Sequence, residues 1–385
     1  MNLLRRALPF ALPGIVLILL VVGVHLFVER QLRRAAAPSP TPTPPVSLTP
    51  APSTVTPAAP TITPTPQPTV VVTPTIEPTK PPVAPTATPV PPTPSPIPGP
   101  VITNNKLGVG VYTSGLPLNV LVTMRPAMIL LQDPDIRSVA ALRTAFPKAL
   151  VVGRHFVPDG DPSLPNCSNP QENPRAKGIA FAQTVARSAV PLKGVVDAWV
   201  SDNEQTDGKK PGELPCHADF QLGFIETLQG TYGIDAVAGN DASGALEPSD
   251  YPKYFAKPIT AAKYFGVHAY GKPEAKTLRT DDAMYYALRY RLIHDELAKF
   301  NIRGPDKGFL LTETGLYQGW RGFVPDDVMA QDFIWLEQET EKDGYVKGQF
   351  IFGIGPQKRF GNYEIMGTTL LELLGHYNAQ FAGKA

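Results

Sequence analysis

Between Gly108 and Gly353 the chain sets down eight short apolar runs, each followed by a longer stretch of different character. The runs are Gly108–Tyr112, Ala127–Gln132, Leu150–Gly153, Val195–Ser201, Ile234–Gly239, Tyr264–Ala269, Phe309–Thr312 and Gln349–Gly353. They are too short for helices, and runs of this kind bounded by turn residues read as buried strands. The stretches between them carry helical spacing. Asn173–Ala189 puts Ile179, Phe181, Ala182, Val185 and Ala186 on one side, and Asp281–Phe300 does the same with Met284, Ala287, Leu288, Arg291, Leu292 and Leu297. Pro134–Phe146, opening after Asp133 as an N-cap type, Pro325–Lys342 and Gly367–Phe381 are further predicted helices. The stretches after the first, fourth and fifth strands are less sharply patterned. Eight strands alternating with helices predict an α/β fold, a (β/α)₈ barrel, over residues 101–385. An open doubly wound sheet is the alternative. No strand is followed by G-x-G-x-x-G, so its dinucleotide-binding form has no support.

The first hundred residues are of another kind. Ala7–Val28 is almost wholly apolar, flanked by Arg5 and Arg6 before it and Arg30, Arg33 and Arg34 after. As a helix it would span roughly 33 Å, enough for a bilayer core. Residues 1–36 are therefore expected to be a cytoplasmic stub and transmembrane anchor. A cleavable signal peptide ending at Ala35-Ala36-Ala37 is the alternative. Arginines on both flanks leave the orientation open. Residues 37–100 hold more than half of the chain's 45 prolines, with only Glu77 and Lys80 charged. Such a segment cannot bury a core and is expected to be a disordered, extended, polyproline-like spacer. It would hold a domain away from a membrane, on the extracytoplasmic side.

A net charge of +1 gives no reason to expect a nucleic-acid partner. The two cysteines, Cys167 and Cys216, lie in loop-like sequence. Beside an export-type N-terminus they suggest one disulfide, with two free thiols as the alternative. Neither has zinc-ligand spacing, and the first strand, GVGVY, lacks the His-x-His of a metal-dependent barrel hydrolase. No metal or cofactor is expected.

Barrel sites sit at the C-terminal ends of the strands. Those ends carry Tyr112-Thr113-Ser114, Gln132-Asp133, Arg154-His155, Asp202-Asn203-Glu204, Asn240-Asp241, His268-Ala269-Tyr270, Glu313 with Tyr317 and Trp320 beyond it, and Gly353-Ile354-Gly355. The fourth and seventh strands face each other, so Glu204 and Glu313 would converge over the barrel mouth. Glycosidic cleavage needs one carboxylic acid to protonate the leaving oxygen and one carboxylate on the opposite face. An acid of such a pair keeps its proton near neutral pH when its neighbour's charge raises its pKa. Trp199 alternates with Glu204 along the fourth strand and is expected in the core.

With Asn203-Glu204 on the fourth strand, Thr312-Glu313-Thr314-Gly315 on the seventh and His268-Ala269-Tyr270 on the sixth, the chain from about Leu107 onward resembles the clan A (β/α)₈ glycoside hydrolases. The resemblance implies Glu204 as general acid/base, Glu313 as nucleophile and retention of configuration. It implies Asn203, His268, Tyr270, Arg154, His155, Asn240 and Trp320 as substrate-binding candidates, with Tyr270 orienting the nucleophile. Two departures stand out. Gln205 occupies the place of a common proline, and the eighth strand, QFIFGIG, lacks the tryptophan that often floors the sugar subsite, a role that would fall to Trp320. The expectation is a monomeric, membrane-anchored extracytoplasmic glycosidase acting on an oligo- or polysaccharide of a cell wall or exopolysaccharide. A non-catalytic carbohydrate-binding surface protein is the alternative.

Overall fold

Eight parallel strands close on one another in chain order, with β1 pairing to both β2 and β8. They are β1 Leu107–Val111, β2 Met128–Gln132, β3 Leu150–Arg154, β4 Ala198–Val200, β5 Asp235–Asp241, β6 Tyr264–Tyr270, β7 Gly308–Gly315 and β8 Val346–Ile354. The computed structural model describes residues 100–113 and 115–383. The predicted anchor and proline-rich spacer lie outside these residues. Among the described residues no helix is long and apolar enough to cross a membrane.

Every predicted strand is present, and a helix follows each one. The three unsharp stretches hold Leu118–Met124 (α1), Glu213–Tyr232 (α5) and Ala256–Ala261 (α6), the last entered through a π-helical turn at Tyr251–Phe255. Two predicted helices are interrupted. Pro134–Phe146 forms two short pieces, Ile136–Val139 (α2) and Leu142–Ala145 (α3), and the cap is Asp135, not Asp133. Asp133 is used elsewhere: its carboxylate accepts the Phe156 amide and faces His155. In the stretch Asp281–Phe300 the Ala283 carbonyl accepts from the amides of Tyr286 and Leu288, so the regular ladder restarts as Arg289–Lys299 (α7). The remaining helices are Pro174–Ala189 (α4), Asp326–Lys342 (α8) and Thr369–Ala379 (α9).

Close packing explains several small residues. Met128 fills the lower barrel because Gly108 and Gly348 leave room for it; a Cβ on either would overlap its side chain. Helices α4 and α5 cross at Gly178 and Gly223, where a Cβ would meet the carbonyls of Phe220 and Arg175. The disulfide Cys167–Cys216 is formed, with Cα atoms 5.7 Å apart, and ties the loop after β3 to the first turn of α5. Trp199 is buried as expected and packs over Gly153 of β3.

The upper barrel departs from regular pairing. Register shifts fall at Gly110/Val111, Gly239/Asp241, Val267/His268 and Leu311/Thr314. On β5 the shift skips Asn240, and in the β6–β7 ladder it skips Thr312. These two bulge residues bond across β6, the Thr312 hydroxyl donating to Asn240 Oδ1 at 2.8 Å. The bond passes over Gly266, where a Cβ would run into the Asn240 amide. Bulges re-aim side chains at barrel rims, and here they do so beside both glutamates.

Candidate active site

The short β4 hands the chain to a polar turn, Ser201–Glu204. Glu204 has φ of +52° and the bulge residue Asn240 has φ of +67°, both in the left-handed region that non-glycine residues enter at a cost of about 1–3 kcal/mol. The Glu204 amide donates to the Asn240 carbonyl at 3.0 Å, so the two strained residues brace each other. Gln205 donates its side-chain amide to the Asn203 carbonyl at 2.7 Å, closing the turn where a proline was the expected residue. The Glu204 side chain is 23% exposed.

Glu313, on β7, is only 5% exposed, and both its oxygens are held. Arg154 Nη1 donates to Oε1 at 2.5 Å and the Tyr270 hydroxyl to Oε2 at 2.8 Å. His268 lies between the glutamates, with Nδ1 2.7 Å from Glu204 Oε1 and 3.7 Å from Glu313 Oε2. One oxygen of each glutamate and a ring nitrogen of His268 lie within 4.8 Å of one another. Arg154 is itself fixed, donating to Asn203 Oδ1 at 2.8 Å and Gln132 Oε1 at 3.1 Å, with its guanidinium 5.1 Å from the centre of the Tyr112 ring.

Burial alone would push the Glu313 carboxyl upward. The charges of His268 and Arg154 and the bonds from Arg154 and Tyr270 outweigh it and hold the group below the ordinary glutamate value. Burial opposes the charge on His268, yet Glu313 and the bond to Glu204 raise the imidazole above its usual value. The site thus favours an anionic Glu313 beside the Arg154 guanidinium, and Glu313 in turn favours the charged form of His268. Two carboxylates and an imidazole this close also have the spacing of a metal donor set. Here one oxygen of Glu313 is already taken by a guanidinium and the other by a phenol, which leaves a cation poor access.

Of the nine predicted site residues, Glu204, Glu313, Asn203, His268, Tyr270 and Arg154 come together. Asn240 supports them from below: it is 1% exposed and bonded to Thr312. His155 stands apart, just past the end of β3, its Nδ1 2.8 Å from Asp133 and its ring 6.0 Å from Phe181 of α4. Trp320 corrects the expectation of a stacking platform. It is fully buried against Phe333 and Tyr363, since the loop after β7 folds back with the Trp320 and Arg321 amides donating to the Asn362 carbonyl. A second group of aromatic rings, itself largely buried, gathers at the end of β8. Phe352 of β8 packs on Tyr112 at 4.5 Å and Tyr363 at 5.2 Å, and Tyr363 meets Tyr270 at 6.1 Å. Tyr112 was legible as a polar strand end, whereas Tyr363 lies in a 3₁₀ turn, Lys358–Tyr363, that carries no pattern in the sequence.

No protein-family profile matches the chain, and no curated protein does. Solved structures with a similar arrangement include a GH5-4 broad specificity endoglucanase from an uncultured bacterium, at 12% identity and TM-score 0.46, over 73% of this chain and 97% of that one. Another is a variant of Saccharomyces cerevisiae Gas2p in complex with laminaritetraose and laminaripentaose, at 10% identity and TM-score 0.47, covering 72% and 64%. A glucosidase from Croceicoccus marinus matches at 14% identity and TM-score 0.47, covering 73% and 69%.

Proposed function

We propose that this chain is a glycoside hydrolase that cleaves an oligo- or polysaccharide with retention of configuration. The observation that carries the reading is the pairing of Glu204, in the turn after β4, with Glu313 on β7, one oxygen of each within 4.8 Å. Retaining enzymes hold their carboxyl groups about 5–5.5 Å apart, and inverting ones about 6.5–9.5 Å to admit a water. In the first step a Glu313 oxygen attacks the anomeric carbon. The bond from that carbon to the leaving oxygen breaks, and Glu204 gives its proton to the departing alcohol. In the second step water attacks the glycosyl–Glu313 ester, Glu204 takes the water's proton, and the Glu313 carboxylate leaves with its electron pair. Arg154 and Tyr270 hold Glu313 in place, and His268 keeps Glu204 aimed at it.

The same proposal includes the chain's organisation. Residues 1–36 would anchor it in a membrane, 37–100 would act as spacer, and the barrel would work outside the cytoplasm as a monomer. The decisive experiment is release of reducing sugar from a panel of glycans by the full chain and by Glu313→Ala. Loss of release with retained glycan binding supports the reading. Turnover by the variant equal to wild type refutes the assignment of Glu313, and saturable binding with no product from any glycan by wild type favours a carbohydrate-binding protein instead. Recovery of the intact chain in a detergent-soluble membrane fraction tests the anchor.

A further inference from the structure

Behind the Glu204 turn lies a second buried group of ionisable side chains that the proposed reaction leaves unused. Asp202 follows β4, Asp241 ends β5 and His217 comes from α5, and they are 5%, 6% and 3% exposed. Asp202 is well supported. The Ser201 hydroxyl and the Gln221 amide donate to one oxygen at 2.8 and 3.1 Å, and His217 Nδ1 lies 3.6 Å from the other. Asp241 is not. The Tyr251 hydroxyl donates to it, but its Oδ2 is buried with no hydrogen-bond partner, and among the described residues no lysine or arginine pairs with it.

A buried carboxyl with an unpartnered oxygen and no cation beside it resists ionisation, and the better supported Asp202 carries the charge more easily. Burial first, and then the Asp202 charge, push Asp241 up to about 7. The other groups facing it are His217 on α5 and His268 on β6, which favour its anion, and Glu204 on the turn, which disfavours it. Tyr251 from the π-helical turn donates to it, and Arg289 of α7 acts on Tyr251 while donating to the Leu246 carbonyl.

The pair sits where the Glu204 turn is fastened. Asp202 lies two residues before Glu204, and Asp241 follows Asn240, whose carbonyl receives the Glu204 amide. Gln221 links the two strand ends, bonding Asp202 and both backbone groups of Gly239 at the start of the bulge. We propose that Asp241 is a positioning residue in its protonated form: neutral, it lets Asp202 and the Asn240 bulge pack together and holds the left-handed turn that aims Glu204 at Glu313, whereas ionised, it repels Asp202 and releases that turn. Only the catalytic consequence, an alkaline limit on turnover, rests on the hydrolase reading; the order of the turn does not.

The test is amide hydrogen exchange over Ser201–Thr206 in the full chain from pH 5 to 9, expressed as protection factors, for wild type, Asp241→Asn and Tyr251→Phe. Wild type is expected to hold its protection below pH 6 and lose about tenfold or more above pH 8. Asp241→Asn is expected to stay protected throughout. Tyr251→Phe removes a donor that favours the anion, so its loss of protection should move to higher pH. A flat wild-type profile, or an equal loss in Asp241→Asn, overturns the proposal. If Asp241→Asn does not fold, an unmoved transition in Tyr251→Phe overturns it. Turnover is followed in parallel: a protein that hydrolyses no glycan yet shows the exchange pattern refutes the hydrolase reading alone.

Discussion

Arg154 reaches from β3 across the barrel mouth and donates to Oε1 of Glu313 on β7 at 2.5 Å, with both side chains almost wholly buried. A buried anion without its cation is costly, so this contact sets both the charge and the placement of the nucleophile candidate.

Replacing Arg154 with Met should therefore destabilise the barrel by about 3–5 kcal/mol in denaturant unfolding. It should also raise the Glu313 pKa, moving the acid limb of the activity profile to higher pH. The signs follow from linkage. Glu313 has a lowered folded pKa, so its contribution is present above its ordinary value of 4.5 and lost as pH falls through the folded value. His268 has a raised folded pKa, so its contribution is full below 6.5 and lost as pH rises through the folded value. Wild type should be most strongly supported by this pair between those two values, and a melting temperature highest above pH 9 would contradict the assignment.

Gly266→Ala adds one methyl group on β6 directly under the Asn240–Thr312 bond. Its backbone φ is not in the left-handed region, so the strand itself tolerates alanine. The expected result is a folded barrel with turnover reduced on the order of 100-fold or more, because Asn240 carries the acceptor for the Glu204 amide. Unchanged turnover would show that the bulge pair does not position Glu204 for the proposed reaction.

Trp320→Ala should cost about 3–5 kcal/mol of stability, the usual range for removing a buried tryptophan. Glycan affinity of the folded fraction should be unaltered, as measured by calorimetry below the melting temperature. A selective loss of affinity at unchanged stability would restore Trp320 as a binding surface.

Reduction of Cys167–Cys216 opens a loop with a sequence separation of 49 residues, worth about 4 kcal/mol in the chain-entropy account. Unfolding in urea with and without reductant measures it. Because Cys216 adjoins His217, exchange at Ser201–Thr206 should also rise on reduction, and unchanged exchange would separate the clamp from the turn.

The strand order and the two glutamates were legible because each signal is local: a short apolar run that ends in one carboxylate. His268, Tyr270 and Arg154 were legible because each stands as a polar residue at the C-terminal end of such a run. The fate of Trp320 was not, since it depends on Asn362, which accepts the loop amides from far along the chain. Asp202, His217 and Asp241 come from three elements with no shared periodicity, so only the closed barrel shows them as one group. The broken helix at Pro134–Phe146 was misread because Asp133 and Asp135 offer the same capping chemistry, and the choice is made by the distant Phe156 amide and His155.

The irregular pairing at the top of the barrel bears on transplantation. A slip of one residue turns every later side chain of a strand to the opposite face. The slips on β5, β6 and β7 come just before Asn240, His268 and Glu313, so these residues point inward by a different rule from the apolar layers below them. Copying them by strand and position onto an idealised barrel would turn some toward the surrounding helices. The portable unit is the whole irregular rim, glycine of β6 included, and a designer who straightens it for stability would keep the residues and lose their convergence.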